Sequence, residues 1–208
     1  APCVWPRAWP ITCCAVMKLL PADTMRRMPW KNGGGVTTEI AIAPAGASLD
    51  NFDWRVSTAQ VDAAGPFSRF AGIDRSLAVI AGGRLTLHRA DGETVSLAPG
   101  EAPVRFPGEV DIHATLDAPL SDFNVMTRRD TWAHHAEAIT LAAGERRSLP
   151  ATRAGTQWLV YCVHGALSVG ALEVPQGAAV RLDAPSGSDT LVARVGTVGY
   201  LVALWPVA

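Results

Sequence analysis

The strongest constraint on the fold is a pattern of short apolar strands that occurs twice in the chain. Two pairs of segments match in the same order: residues 77–87 with 159–169, and residues 99–106 with 175–182. The first pair aligns Gly83 with Gly165. Chance is the alternative, because apolar strands joined by glycine resemble one another easily. Two matches in one order favour duplication, and the pattern therefore predicts two related β-units.

Strand-like alternation dominates the chain after Gly35. Val36–Ile42 and Phe52–Ser57 alternate, with β-branched or aromatic residues, and further short strands are separated by Gly, Pro and Asp. This pattern predicts an all-β sandwich or jelly roll.

Residues 1–16 lack such a pattern and are interpreted as an N-terminal extension of upstream or vector-derived residues. The expected units are then residues 17–132 and 133–208, with no mobile linker between them.

Composition excludes several classes of function. A net charge of −1 argues against nucleic acid as the partner, since phosphate binding needs a concentrated basic face. No apolar run reaches the roughly 20 residues that span a bilayer, so a membrane partner is not expected. Three of the four cysteines lie in the first fourteen residues, and Cys162 falls in an apolar strand. These features fit a reduced, cytoplasmic protein, and a homodimer is left open.

The segment Met28–Gly35 combines a lysine, an asparagine and a tryptophan with three consecutive glycines. Glycines permit tight turns and close approach to the backbone. Exposed amides beside Lys31 and Asn32 form a plausible nest for a small anion. The alternative is an ordinary glycine-rich turn before a strand.

Four blocks carry a resemblance to a known family: Met28–Gly35, Phe52–Ser57, Gly65–Arg75 and Asp122–Arg129. Together and in this order they resemble the signature blocks of the HutD/Ves family. The resemblance implies a cupin-like fold: all-β, a double-stranded β-helix (jelly roll) with two fused barrels, that is, a bicupin of RmlC-like architecture. It also implies an association with histidine utilisation, a binding or regulatory role, and formylglutamate as a suggested ligand.

Metal and covalent chemistry are not indicated. The histidines show no His-x-His pair, and adjacent His134 and His135 would face opposite sides of a strand. We therefore expect neither a metal nor another cofactor. No nucleophile elbow or cysteine-centred motif occurs, so no catalytic residue is assigned.

Polar binding is better supported by strand periodicity. Alternation places Asp53, Arg55 and Ser57 on one face of a strand, and Asp122 and Asn124 on one face of another. Such faces usually meet water, but inside a barrel they would line a site. Phe67 and Phe70 are expected to anchor the loop of the third block. Arg69 and Arg75 reach a site, or Arg75 pairs with Asp74 or Asp53 at the surface.

The sequence therefore predicts a binding protein, not an enzyme, for a small acidic metabolite, with a regulatory role. Its pocket is expected in the first barrel, and the second barrel is expected to be structural. The predicted ligand-binding residues are Trp30, Lys31, Asn32, Gly33, Arg55, Ser57, Arg69 and Asn124. The alternatives are a metal-independent isomerase, lyase or hydrolase that uses a carboxylate such as Asp53 or a histidine inside the pocket, and a regulator that docks on another protein.

Overall fold

The protein is described from a computed structural model that covers residues 16–30, 33–150, 153–183 and 189–207. Regular structure in these residues is almost entirely β-strand, and the single helical element among them is a 3₁₀ turn, Ala22–Thr24. The predicted all-β class is confirmed. Within the same ranges, no helix is long and apolar enough to cross a membrane.

The described residues form nineteen strands. Those of the first part of the chain are β1 (Val16–Leu20), β2 (Arg26–Pro29), β3 (Gly35–Ala43), β4 (Trp54–Val61), β5 (Gly65–Pro66), β6 (Ile73–Gly82), β7 (Leu85–Arg89), β8 (Thr94–Leu97), β9 (Val104–Pro107), β10 (Ile112–Leu116) and β11 (Leu120–Arg128). The remainder are β12 (Trp132–Leu141), β13 (Arg146–Ser148), β14 (Gln157–His164), β15 (Ala166–Val169), β16 (Leu172–Pro175), β17 (Ala179–Asp183), β18 (Thr190–Ala193) and β19 (Thr197–Pro206).

These strands pair into antiparallel sheets that stack face to face. A six-stranded sheet has the order β2–β3–β4–β11–β6–β9, and a four-stranded sheet has the order β5–β10–β7–β8. The later strands form a five-stranded sheet, β1–β17–β14–β19–β12, and a second four-stranded sheet, β13–β18–β15–β16. Alternation along each strand gives every sheet a face that packs against its neighbour.

Buried apolar residues in the described ranges form four clusters, and three of these lie between the sheets. One core, with Leu77 and Ile112, joins the six-stranded sheet to the first four-stranded sheet, and another joins the two later sheets. The third lies between the six-stranded and five-stranded sheets, where Phe123 stacks on Tyr200 at 4.6 Å between ring centroids. The two large sheets therefore pack back to back, and each half of the molecule has its own interior.

His134 links the two large sheets through buried hydrogen bonds. Its ring nitrogens lie 2.8 Å from the Ser76 hydroxyl and 2.7 Å from the Thr127 hydroxyl, and all three side chains are buried. Burial lowers the pKa of His134 to about 4, with the Arg105 charge acting in the same direction. The ring is therefore neutral at physiological pH, where one nitrogen donates a hydrogen bond and the other accepts one.

The predicted internal repeat recurs in the geometry, with its alignment corrected by one residue. Gly82 and Gly165 have φ of 87° and 88°, and a Cβ on either would collide with a backbone carbonyl oxygen, of Pro119 or Gly196 respectively. Gly82 is therefore the counterpart of Gly165, and the alignment on Gly83 is wrong. The sequence Gly82-Gly83 does not reveal which glycine takes the positive φ, and a slip of one residue exchanges the faces of a strand.

The ladder irregularities support the same alignment. In the β6–β11 pair, Ile80 has no partner in the register, because Ser121 pairs with Ala81 and Asp122 with Val79. In the β14–β19 pair, the register likewise passes over one residue, Val163. Ile80 and Val163 are separated by the same interval as Gly82 and Gly165. The two halves therefore share a bulge as well as a turn.

Strand β1 belongs to the sheet of the second half, although the sequence places most of its residues in the first unit. It pairs antiparallel with β17, from Val16 opposite Asp183 to Leu20 opposite Ala179. Residues 17–20, which the sequence assigned to the first unit, therefore extend the sheet of the second. The expected N-terminal extension lies outside the described residues, apart from Val16.

Candidate functional site

A cavity of about 540 Å³ opens over the inner face of the six-stranded sheet, in the first half of the molecule. Its floor carries the polar side chains Arg55, Ser57, Arg75, Asp122 and Asn124. Its walls are mostly apolar and include Met28, Trp30, Phe67 and Phe70. Cavities of this size with a few convergent polar groups are typical of small-molecule sites.

Strand register explains why these side chains converge. Arg55 on β4 and Arg75 on β6 both lie opposite Met126 of the intervening strand β11. Ser57 lies opposite Asn124 in the same way. Side chains directly opposite share a face, so the two arginines face the cavity from strands about 10 Å apart, which is two strand spacings.

Arg55 forms a buried ion pair with Glu39 of the neighbouring strand β3. Its Nε donates to the Glu39 carboxylate at 2.8 Å, and the side chains are 7% and 12% exposed. The pair holds the guanidinium in place and neutralises part of its charge. Removing either partner alone would leave a buried charge unpaired, which is strongly destabilising.

Arg75 lies in an aromatic cradle. The guanidinium carbon is 5.2 to 5.7 Å from the ring centroids of Phe67, Phe70 and Phe106, and one terminal nitrogen donates to the Ser68 carbonyl at 3.2 Å. Burial lowers the pKa of Arg75 to about 10, which the Asp122 charge opposes. Arg75 is therefore charged at neutral pH, and cation–π contacts compensate part of its desolvation.

Asp122 is the acid of the cavity floor. The residue is 4% exposed, and its Oδ1 atom has no hydrogen-bond partner within the described part of the chain. Burial raises its pKa to about 7, while the Arg75 charge and the Ala59 backbone N–H act in the opposite direction. The carboxyl therefore changes charge near neutrality, unlike a solvated aspartate.

On the two strands of the second half that match β6 and β11, the polar side chains of the floor are replaced. By the corrected alignment and the strand register, Trp158 takes the place of Arg75. Gly199 takes the place of Asp122, and Leu201 that of Asn124. Trp158 and Leu201 belong to a buried apolar core. On β12, which matches β4, His135 and Glu137 take the places of Arg55 and Ser57. Apolar residues therefore replace part of the polar floor in this half, and polar side chains remain on β12.

Comparison with known proteins assigns the chain to a family. The HutD family model matches residues 22–198. The chain belongs to the HutD family. This result confirms the resemblance indicated by the four sequence blocks, and it carries the family's link with histidine utilisation.

Two relatives match the HutD-family chain over part of its length. The uncharacterized 21.2 kDa protein in the hutC 3′ region of Pseudomonas putida is 40% identical over 112 residues, which are 53% of this chain and 57% of that protein. Protein Ves of Citrobacter koseri is 37% identical over 111 residues, or 51% of this chain and 56% of that protein. The chain thus matches little more than half the length of these curated relatives.

Solved structures match the HutD-family chain more completely. HutD from Pseudomonas fluorescens SBW25, in a formate condition, is 27% identical with a TM-score of 0.75 and covers 93% of this chain and 100% of its own. YhhW from Escherichia coli is 10% identical with a TM-score of 0.71 and covers 92% and 99%. At this low identity, the similarity to YhhW is evidence for the fold alone. Together they support the cupin-like all-β fold.

The structure brings four predicted site residues to the cavity: Trp30, Arg55, Ser57 and Asn124. Trp30 is held by a hydrogen bond from its ring Nε1 to the Thr37 hydroxyl at 2.8 Å. Gly34 lines the cavity, whereas Gly33 forms the adjoining turn, where its N–H donates to the Trp30 carbonyl. Lys31 and Asn32 lie outside the described residues, so their predicted roles stay predictions.

Arg69 was predicted to bind the ligand, but the structure does not place it in the cavity lining. It is exposed, and its Nε donates to the Glu109 carbonyl at 3.1 Å. The loop directs Phe67 and Phe70 toward the cavity, which leaves Arg69 on the outer side. Asp53 is also absent from the cavity lining.

Arg75 and Asp122 are the residues that the site assignment from sequence missed. The surface pairing considered for Arg75 does not form with Asp74, which instead binds Arg105 and Arg129 at 2.7 Å each. A signal was present in β6, where Arg75 shares a face with the apolar Leu77 and Val79. A charged residue on an otherwise inward face indicates a buried function.

No metal site is apparent in the described ranges, since they contain no group of three or more His, Cys, Asp or Glu side chains placed to hold an ion. The chemistry that the cavity floor offers comes from guanidinium, amide, hydroxyl and carboxyl groups.

Proposed function

We propose that this HutD-family protein binds a small acidic metabolite in the cavity and acts as a non-enzymatic regulator in histidine utilisation. The observation that carries the proposal is the pair of buried arginines, Arg55 and Arg75, on the floor of one sheltered cavity. Guanidinium groups are well shaped for carboxylates, which they hold by two parallel hydrogen bonds. Formylglutamate is the proposed ligand, on the family's link with histidine utilisation.

The floor suits a ligand with an acid group and an amide. Arg55 and Arg75 supply the cationic donors, while Ser57 and Asn124 offer a hydroxyl and an amide to a formyl group. Trp30 covers the apolar part of the ligand. Hydrogen bonds to charged groups contribute about 1.5–3 kcal/mol each, so two or three of them are compatible with micromolar binding.

A metal-independent isomerase, lyase or hydrolase is the second candidate, and Asp122 favours it. A carboxyl group with a pKa of about 7 in a cavity is suited to general acid–base catalysis. Asp122 therefore replaces Asp53 as the acid on which this candidate rests.

Isothermal titration calorimetry with N-formyl-L-glutamate, urocanate and L-glutamate tests the proposal. We expect N-formyl-L-glutamate to bind with a micromolar dissociation constant. Proton NMR of the recovered ligand should show it unchanged, whereas conversion that is lost in Asp122→Asn would favour the enzyme. No heat change with any of the three ligands, from protein with a native circular dichroism spectrum, would exclude this ligand class.

We further propose that the two halves are fused cupin barrels, a bicupin, in which the second barrel has a structural role. The shared bulge and turn support duplication, and the apolar interior of the second half supports its structural role. A cytoplasmic location fits the free, buried thiol of Cys162.

A further inference from the structure

The cavity floor presents hydrogen-bond acceptors as well as cations. The Oδ1 atoms of Asp122 and Asn124 are both buried and lack hydrogen-bond partners among residues the structure describes. The two residues lie two positions apart on the same face of β11, and both line the cavity. Buried polar atoms in native proteins are usually satisfied, so such a pair calls for a donor.

The cations of the floor are not equivalent. Arg55 is already paired with Glu39 at 2.8 Å. Arg75 has no carboxylate within ion-pair distance in the described ranges, and its Nε atom lacks a partner there. Arg75 and Asp122 both line the cavity, and no ion pair within 4.0 Å joins them among the described residues, although the charge of each shifts the pKa of the other. The floor thus holds a donor atom without a partner, the Nε of Arg75, and acceptor atoms without partners, the Oδ1 atoms of Asp122 and Asn124.

A ligand with carboxylates alone would match only half of this floor. Its negative charge would satisfy Arg75, but it would leave the Asp122 and Asn124 oxygens unpaired and would be repelled by an ionised Asp122. A ligand with an N–H group beside its carboxylate satisfies both Arg75 and the two acceptor residues. Its N–H donates to the Asp122 and Asn124 oxygens, while its carboxylate contacts the Arg75 guanidinium. Leaving buried acceptors unpaired is the usual basis of strong discrimination between such ligands.

We propose that the cavity selects acidic ligands that carry an N–H donor beside a carboxylate, as amino acids and N-acyl amino acids do, and that Asp122 is the residue that determines this selectivity. The inference rests on the proposed binding function and narrows its ligand class. It places the selecting group on β11, between the strands that carry the two arginines.

A matched pair of ligands tests the selectivity. N-formyl-L-glutamate and glutarate share a five-carbon diacid chain, but glutarate has no nitrogen. Calorimetric titrations at pH 8, where Asp122 is mostly ionised and Arg75 is charged, should give at least about 10-fold tighter binding of N-formyl-L-glutamate.

The isosteric variant Asp122→Asn should move the two ligands in opposite directions. Binding of N-formyl-L-glutamate should weaken about 10-fold, because its N–H loses a charged acceptor. Binding of glutarate should be unchanged or tighter, because a negative charge is removed. A folding defect would weaken both ligands together, so the sign of the glutarate effect separates the two explanations. Asp53→Asn, outside the cavity lining, is the control and should leave both affinities within about twofold.

The outcomes distinguish this inference from the proposed function. If both ligands bind equally well to the wild type, or if Asp122→Asn weakens both alike, the N–H selectivity is wrong while acid binding stands. If neither ligand binds the folded wild type, acid binding and its selectivity are both overturned.

Discussion

Arg55→Met is expected to weaken the binding of N-formyl-L-glutamate by about 10- to 100-fold, because a charge-assisted contact to the carboxylate is lost. The same variant should lose about 3 kcal/mol of unfolding free energy, since Glu39 is left buried without its partner. Calorimetry measures the first effect and urea unfolding the second.

A double variant separates these two effects. Arg55→Met combined with Glu39→Gln removes the unpaired charge, so the stability should largely return while binding stays weak. Arg69→Met is the matched control, because Arg69 is exposed and faces away from the cavity. It should bind like the wild type. Near-normal binding by the double variant would remove Arg55 from the acid site and leave Arg75 as its cation, whereas loss of binding in Arg69→Met alone would place the acid site elsewhere.

Gly82→Ala is expected to destabilise the protein by roughly 3 kcal/mol or more. The residue has φ of 87°, and an added Cβ would collide with the Pro119 carbonyl oxygen, so backbone strain and a steric clash combine. Gly92→Ala is the matched control. Gly92 has φ of 91°, but nothing lies within 4 Å of an added Cβ. We expect it to cost only about 1 kcal/mol.

Urea unfolding followed by circular dichroism compares the two glycine variants. A loss in Gly82→Ala no greater than in Gly92→Ala would contradict the packing of this turn against the start of β11. It would also weaken the alignment of Gly82 with Gly165, which would then rest on the shared bulge and the matching φ values.

Local sequence rules predict much of the fold and part of the site. Period-two alternation identifies β4 and places Arg55 and Ser57 on one face. The same rule gives Asn124 its position beside Asp122 on β11. Such rules act within one strand, which is why these predictions needed no knowledge of the tertiary structure.

The remaining features depend on contacts between distant segments. Arg75 is a cavity residue because β6 pairs with β11 in one register, and its neighbour Phe106 comes from another strand. The raised pKa of Asp122 reflects burial that no single strand reveals. Arg69 was wrongly assigned to the site because it lies in a loop, where no regular alternation shows which way a side chain points. Gly82 and Gly83 are both crowded by the chain that leads into β11, and only Gly82 has a positive φ, which the dipeptide sequence does not reveal.

The most direct test of acid binding in the first-half cavity is a crystal structure of the protein with saturating N-formyl-L-glutamate. We expect the ligand over the floor of the six-stranded sheet, with a carboxylate oxygen about 3 Å from a guanidinium nitrogen of Arg55 or Arg75. A ligand ordered elsewhere on the molecule, with water alone above these two arginines, would contradict the account.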